Sequence, residues 1–396
     1  MMQISPETQL FIREHSSDDV RALALQAKKY PDIDMPTAIT QIAGRKVAAE
    51  KIPSWWEIEK IWYPKHLSLE QCSSEITARY KARLLQGDSL TDLTGGFGID
   101  CSFLATGFKS ATYVERQEEL CEIAAHNFPV LNLNHINIKN EDGVTYLQAM
   151  SPVDCLFLDP ARRNEHGGKT VAISDCEPNV AELEELLLQK ANRVMIKLSP
   201  MLDLSLALKE LKQTQEVHIL SVNNECKELL ILLGQTSPTE ISIHCVNLST
   251  KGTQEEQHFV FTREQEQCSE CTYTDSLETY LYEPNASLLK AGAFRSIAVA
   301  YPVRKLHPNS HLYTSDTFIE NFPGRIFRIV NQCSFNKKEV KENLADLKKA
   351  NVTVRNFPAT VAELRKRIHL AEGGDTYLFA STLNNGQKVL IRCEKV

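Results

Sequence analysis

The pattern of apolar and polar positions reads as helical over residues 1–85. Ser16, Ser17, Asp18 and Asp19 can cap a helix running to about Tyr30, and further helices are predicted over 36–50, 53–62 and 68–85. Pro36 and Pro53 suit first-turn positions. From residue 86 the pattern changes to short apolar runs that end in polar residues. Strands are predicted at 90–92, 111–115, 136–142, 153–158 and 193–200, with a helix from about 179 to 192. The runs 217–222 and 229–233, joined by a short turn, read as an antiparallel pair closing that sheet, and 240–248 with 257–263 as a further hairpin. Residues 281–284 read as strand and 285–298 as helix. The last stretch alternates: strand 325–331, helix 336–350, strand 352–356, helix 360–370, then a hairpin over 375–382 and 387–393 turning at Asn384, Asn385 and Gly386.

The strand tips carry the chemistry. The run ending at Asp92 is followed by Leu93, Thr94, Gly95, Gly96, Phe97 and Gly98, then by an apolar stretch able to start a helix. In an open α/β sheet such a turn lies at the carboxyl edge of the strands, where ligands bind. Glycines let the backbone bend sharply and approach a ligand without a Cβ in the way. The second run ends at Glu115, placed about 20 residues on, as a ribose-binding acid is. The third ends in Glu141 and Asp142, and the fourth in Asp159, Pro160, Ala161 and Arg162.

This order of tips resembles the class I S-adenosylmethionine-dependent methyltransferases over roughly residues 70–235. The resemblance implies an α/β fold with a Rossmann-like class I core over 86–264, hairpin extension included, behind a helical region, 1–85. Small α+β parts follow, a mixed segment over 265–322 and a last domain over 323–396. It implies that Asp92, Thr94, Gly95, Gly96, Phe97 and Gly98 form the S-adenosylmethionine loop. Glu115 would hold the ribose, and Asp142 (or Glu141) would read the adenine amino group. Asp159 and Pro160 would stand beside the transferable methyl, with Arg162 and Lys197 near the acceptor. In related enzymes a segment just before the first strand covers the cofactor, which makes Ser74, Glu75 and Thr77 candidate contacts. The order of elements after 323 resembles the THUMP-like domain of some bacterial methyltransferases, and THUMP domains are associated with RNA-modifying enzymes.

Charge sharpens that reading. The net charge is −7, yet residues 323–396 hold 14 lysines and arginines against 7 acids, a local +7 that leaves −14 on the rest. Such asymmetry suggests an anion-facing terminal domain, with solvated helix faces as the plain alternative. Lys337, Lys338, Lys341, Lys348 and Lys349 fall on one predicted helix, and Arg365, Lys366 and Arg367 on the next. The 11 cysteines are irregularly spaced, which suits reduced thiols and a cytoplasmic location. Cys268 and Cys271 make the one C-x-x-C, without a second pair to complete a zinc site, so no metal is expected. No apolar run reaches the length of a membrane span, and the start shows no secretory signal.

The expected reaction is methyl transfer, most simply to a base nitrogen of tRNA or rRNA, with Asp159 and the Pro160 carbonyl accepting the N–H of the acceptor amine. Ala161 and Arg162 stand where amino-methylating families carry a proline and a stacking aromatic. The corner also resembles that of RNA uracil C5-methyltransferases, but those need a cysteine nucleophile within a Cys-x-Pro after the next strand, where this chain has Leu198, Ser199 and Pro200 with no thiol, and a serine is a poor nucleophile at neutral pH. Lys197 either contacts a phosphate, acts as a base, or extends its ammonium to solvent. Arg162 and Arg163 either hold a phosphate or carboxylate or form surface ion pairs. Trp55, Trp56 and Trp62 either stack on bases or belong to the core. Two alternatives stay open for the whole chain: a methyltransferase of a small molecule or protein, and a non-catalytic RNA-binding protein with a cofactor-binding fold.

Overall fold

The structure is a computed structural model that describes residues 4–162, 172–236, 238–250 and 256–396. Its chain divides into two compact units, Met1–Gln215 with Leu229–Pro238, and Glu216–Glu228 with Thr239–Val396.

The first unit opens with helices α1 (Pro6–Glu14), α2 (Val20–Leu25), α3 (Met35–Lys51), α4 (Pro53–Trp56), α5 (His66–Gln71) and α6 (Glu75–Ala82). Ser5, Asp19 and Asp34 cap the first three by accepting backbone N–H groups of Thr8, Ala22 and Thr37. Two predicted helices are shorter than expected. The one over 53–62 is a single turn, and the one over 68–85 breaks at Cys72, whose backbone is extended. Ser73 and Ser74 follow, residues that favour caps over helix interiors because their hydroxyls compete for backbone groups. Buried amides hold the irregular stretch in between. Gln41 brackets the backbone N–H and carbonyl of Tyr63 at 2.9 Å each, and Asn127 does the same for Trp62 at 2.9 and 2.8 Å. Trp55 lies in the core edge-on to Phe97, Trp62 stacks on His126, and of the three tryptophans only Trp56 is exposed.

Strands β1 (Ser89–Asp92), β2 (Ser110–Glu115), β3 (Ile136–Asn140) and β4 (Val153–Leu158) alternate with helices α7 (Ile99–Ala105), α8 (Glu118–Val130) and α9 (Gly143–Ala149). Short strands β5 (Ala161–Arg162) and β6 (Cys176–Glu177) pair with each other before α10 (Val180–Lys190) and β7 (Ala191–Leu198). The predicted polar loop over 162–178 falls largely outside the described residues, as do Arg163 and the side chain of Arg162. Helix α11 (Leu204–Glu210) precedes β8 (Thr214–Val222) and β9 (Glu225–Gly234). Within this unit the strand order is β9-β7-β4-β1-β2-β3, parallel except for β9, which runs antiparallel to β7. The order reverses between β1 and β4, so their carboxyl tips flank the crevice where such sheets bind ligands. Leu156, Phe157, Val194, Met195, Ile196 and Leu229 to Leu233 are buried, as expected for strands covered on both faces.

In the second unit β10 (Ser242–Leu248) pairs parallel with β8 and antiparallel with β11 (Gln257–Thr262). After α12 (Arg263–Cys268), β12 (Tyr280–Pro284) leads to α13 (Ala286–Ala291) and α14 (Ser296–Ala300). These two replace the single predicted helix, because Gly292 takes a left-handed backbone (φ +80°) between them. Strands β13 (Arg304–Lys305), β14 (Tyr313–Ser315) and β15 (Gly324–Ser334), helix α15 (Lys337–Leu344), strand β16 (Asn351–Val354), helix α16 (Val361–Ile368) and the hairpin β17 (Thr376–Thr382) with β18 (Lys388–Lys395) complete it. One sheet of order β13-β14-β12-β15-β18-β17-β16 joins them. Its alternation is visible in β17, where Phe379 enters one apolar cluster with Leu281 and Phe327 while Leu378 and Ala380 enter another with Leu344 and Leu364. The hairpin turn has Gly386 at φ +85°, as the predicted turn requires.

Candidate functional site

After Asp92 the chain must turn back into α7 within a few residues. Gly96 (φ +54°) and Gly98 (φ +86°) take left-handed backbone to do so. Gly95 answers a different need, since a Cβ there would lie 2.2 Å from the ring of buried Tyr113. The Tyr113 hydroxyl donates to the Gly96 carbonyl at 2.5 Å, and the Gly95 N–H to the Val114 carbonyl at 2.8 Å, so the turn is drawn onto β2. Its other side is open, because a Cβ on Gly96 would meet nothing nearer than the Thr94 carbonyl oxygen at 3.8 Å. Glu115, at the tip of β2, accepts the Gly96 N–H on Oε2 at 2.9 Å and the Gln117 N–H on Oε1 at 2.8 Å. It therefore clamps the turn, and each carboxylate oxygen keeps further acceptor capacity.

Asp92 is buried beneath the turn. Its Oδ1 accepts the Thr94 N–H at 2.9 Å, while Oδ2 has no partner among the described residues. Burial pushes this carboxyl well above the usual carboxylate range, against the pull of the Thr94 N–H. An unsatisfied buried polar atom costs about 1–3 kcal/mol, so a position of this kind suits a donor brought by a ligand. The Thr94 hydroxyl also accepts the Asp159 N–H at 2.6 Å, tying the tip of β1 to that of β4.

Beside the turn stands a buried ionic cluster. Lys197, near the end of β7, contacts Asp159 Oδ2, with its Nζ 3.2 Å from Ser73 Oγ and 3.5 Å from Asp100 Oδ2. Lys81 of α6 lies 3.0 Å from Asp100 Oδ1 and donates to Ser73 Oγ at 2.9 Å, and Ser73 in turn donates to Asp100 Oδ2 at 2.7 Å. Each lysine is met by an aspartate, the pairing that buried charges require, and burial pushes the Asp159 carboxyl above its usual range against the pull of Lys197. Burial by itself raises the Asp100 carboxyl, but Lys81 and Lys197, with the Ser73 hydrogen bond, outweigh it and hold the group below its usual range. The Asp159 side chain is 35% exposed against 10% for Asp100, so Asp159 is the aspartate a reactant can reach.

The remaining candidates are distributed unevenly. Pro160 is buried at the corner, and Arg162 lies in β5. The Phe97 ring packs into the core against Trp55 and Tyr63, which leaves its backbone for the turn. Asp142 is exposed and caps α9, its Oδ1 accepting the N–H groups of Val144 and Thr145 at 3.1 and 3.0 Å. Gly143 beside it packs on the first turn, where a Cβ would lie 2.2 Å from the Leu93 carbonyl oxygen. Glu75 is engaged by the Ser54 N–H and by Arg79, and the Thr77 hydroxyl donates to the Ser74 carbonyl. The segment before β1 instead contributes Ser73 and Lys81, which the sequence reading passed over together with Asp100. Asp100 had one signal, an acid in the first turn of a helix, where the dipole favours it. Lys81 and Ser73 had none. Ser199 accepts the Met201 N–H at 3.3 Å.

In the second unit most arginines of the basic surplus are paired, while Arg367 is exposed along with the lysines singled out above. Arg355 lies 3.1 Å from buried Glu283, which Arg325 also contacts; Arg328 pairs with Glu394, Arg365 with Glu372 and Arg392 with Asp346. Lys337, Lys338, Lys341, Lys348, Lys349 and Lys366 are exposed. The expected single lysine helix is corrected, since α15 ends at Leu344 and holds only Lys337, Lys338 and Lys341 of the five.

A family model described as a ferredoxin-like domain matches residues 280–323, and one described as THUMP domain-like matches residues 324–395. No curated protein matches the chain. Among solved structures, a "putative methyltransferase from Porphyromonas gingivalis W83" is similar over 100% of both chains, at 34% identity and a TM-score of 0.88. An rRNA methylase from Streptococcus thermophilus (14% identity, TM-score 0.29, 40% of this chain and 93% of that one) is far less similar. So is a "putative methyltransferase" from Streptococcus mutans in complex with SAH (13%, 0.30, 40% and 96%). Scores of that size carry no inference. The full-length similarity, over a parallel sheet with a glycine turn and an Asp-Pro corner at its switch point, shows that this chain belongs to the class I methyltransferase family ending in a THUMP-like domain.

Proposed function

We propose that the protein is an S-adenosylmethionine-dependent methyltransferase acting on a base nitrogen of tRNA or rRNA. The observation that carries this reading is Asp159, about one-third exposed, fixed by Lys197 and joined through Thr94 to the glycine turn. The open side of that turn and the unpartnered Asp92 Oδ2 fit a ligand lying over residues 94–98. Glu115 would take the ribose hydroxyls and Asp142, or Glu141, the adenine amine. Bound there, S-adenosylmethionine supplies an electrophilic methyl group.

The residues of this chain then have to orient the acceptor and exclude water. Asp159 accepts an N–H of the exocyclic amine, which turns the nitrogen lone pair towards the methyl, and the Pro160 carbonyl can take the second N–H. Lys197 acts on Asp159 as a positioning residue, because its contact with Oδ2 fixes the carboxylate. Covalent chemistry is disfavoured, since Leu198, Ser199 and Pro200 offer no thiol where that route needs one and a serine is a poor nucleophile. The exposed lysines of the THUMP-like domain support an RNA substrate, because a surface of solvated cations tracks phosphates. The cysteines among the described residues are all free, which supports the cytoplasmic location we infer.

The test has two arms. Calorimetry with adenosylhomocysteine should give saturable binding that Gly96→Val abolishes and Glu115→Ala weakens at least about 10-fold, from lost hydrogen bonds to a charged acceptor. Mass spectrometry of nucleosides from a strain lacking the gene should show one methylated nucleoside missing relative to its parent. Unaltered binding in both variants would move the cofactor elsewhere. A full set of methylated nucleosides would turn the acceptor into a small molecule or protein.

A further inference from the structure

The methyl-transfer reading leaves unused a cluster on the strands of the second unit. Through the parallel β8–β10 register, Ser242 stands opposite Glu216 and His244 opposite His218. In the antiparallel β10–β11 pair His258 stands opposite Val246, one diagonal step from His244. Side chains two apart share a face, so Glu216, His218, Ser242, His244 and His258 lie on the same side of these strands. The His218 and His244 rings are stacked at 4.3 Å, and those of His244 and His258 at 5.3 Å.

We propose that Glu216, His218 and His244, with His258 as a fourth ligand, form a binding site for a divalent transition-metal ion of the zinc type. One donor atom from each of the first three lies within 4.8 Å of the others. Two contacts already have the spacing of ligands that share an ion. His218 Nε2 is 3.2 Å from Glu216 Oε2, and His244 Nδ1 is 3.2 Å from His258 Nε2. Donors about 2.0–2.1 Å from a tetrahedral zinc are about 3.3 Å apart. Ser242 Oγ, 3.2 Å from His244 Nε2, engages the far nitrogen of that ring and leaves Nδ1 towards the cluster, the outer-shell arrangement of metal-bound imidazoles. Glu216 adds the negative charge that offsets a divalent ion. Gathering the donors onto one centre requires the stacked rings to turn about χ2, a broad torsion. A set of imidazoles and one carboxylate on a rigid sheet suits zinc better than calcium or magnesium, which take mainly oxygen ligands. The ion would cross-link β8, β10 and β11.

The full chain, stripped with a chelator, should bind one equivalent of Zn²⁺ in competition with a chromophoric chelator. Co²⁺ should give the visible absorption of a tetrahedral site, and the melting temperature should rise with added zinc. His218→Ala and His244→Ala should lose saturable binding. Should either fail to fold, Glu216→Gln and His258→Ala, at less buried positions, should weaken it by at least about tenfold. Cys268→Ser with Cys271→Ser should leave it intact. Absence of saturable binding in the unaltered chain overturns the proposal. So does binding that survives loss of Glu216 and His258, or that disappears with the two cysteines.

Discussion

In the first unit Lys81 and Lys197 lie in the interior against Asp100, Asp159 and Ser73. In the second, Lys337, Lys338, Lys341, Lys348, Lys349 and Lys366 stand on the surface. The difference follows from solvation. These two ammonium groups, taken out of water, are met by opposite charge at short range, so they are locked to particular oxygens and can position one carboxylate. An ammonium left in water keeps its mobility. Its single contacts are weak and screened by salt, and such residues act by their sum. Arg325 and Arg355 of the second unit belong with the first kind in this respect, since both are bound to buried Glu283, whereas Arg367 is exposed.

Three experiments bear on this contrast, beginning with the largest effect. Lys81→Met leaves Asp100 buried with part of its charge uncompensated and should cost about 3–5 kcal/mol in urea unfolding. Lys338→Met should stay within about 0.5 kcal/mol. Equal, small losses would mean that the interior cluster is solvated. Next, Asp159→Ala should lower single-turnover methylation about 100-fold or more, while adenosylhomocysteine binds as before. Ser199→Ala should be close to neutral, and a large loss there would restore the case for a nucleophile at that position. The smallest effect is spread over many residues. Exchanging the exposed lysines for glutamine should flatten the log–log salt dependence of RNA binding by about 0.7 for each phosphate contact removed, with little change in melting temperature. A slope unaffected by these changes would remove the second unit's surface from RNA recognition.

The strand-tip features were legible because they are local. Gly96 and Gly98 announce left-handed backbone, Asp92 ends a short strand and Asp159 closes a buried apolar run, and these properties need only a few neighbouring residues. The hairpin at Gly386 was readable on the same ground. Helix lengths were less so. Pattern alone ran a helix through Cys72, where the structure has an extended residue and brings Ser73 towards Lys81 and Asp100. Phe97 shows the opposite limit, since its place in the turn said nothing about where its ring would pack.

By itself, then, the sequence determined the order of strands and helices, the acids at the strand tips, the glycine turn and the basic excess after residue 323. Only the tertiary structure decided which charges meet. Ser73 and Lys81 are far in the chain from Asp159 and Lys197, and their cluster with Asp100 exists because α6, α7, β4 and β7 converge on one edge of the sheet. Glu216, His218, His244 and His258 share a face because β8 and β10 pair in parallel, in a register that no local pattern encodes. The physical reason is the same in both cases. Periodicity and backbone preference are properties of neighbours in sequence. The environment of a charge or an imidazole depends on packing between distant segments, and that packing also determines whether the group is buried, paired or left in water.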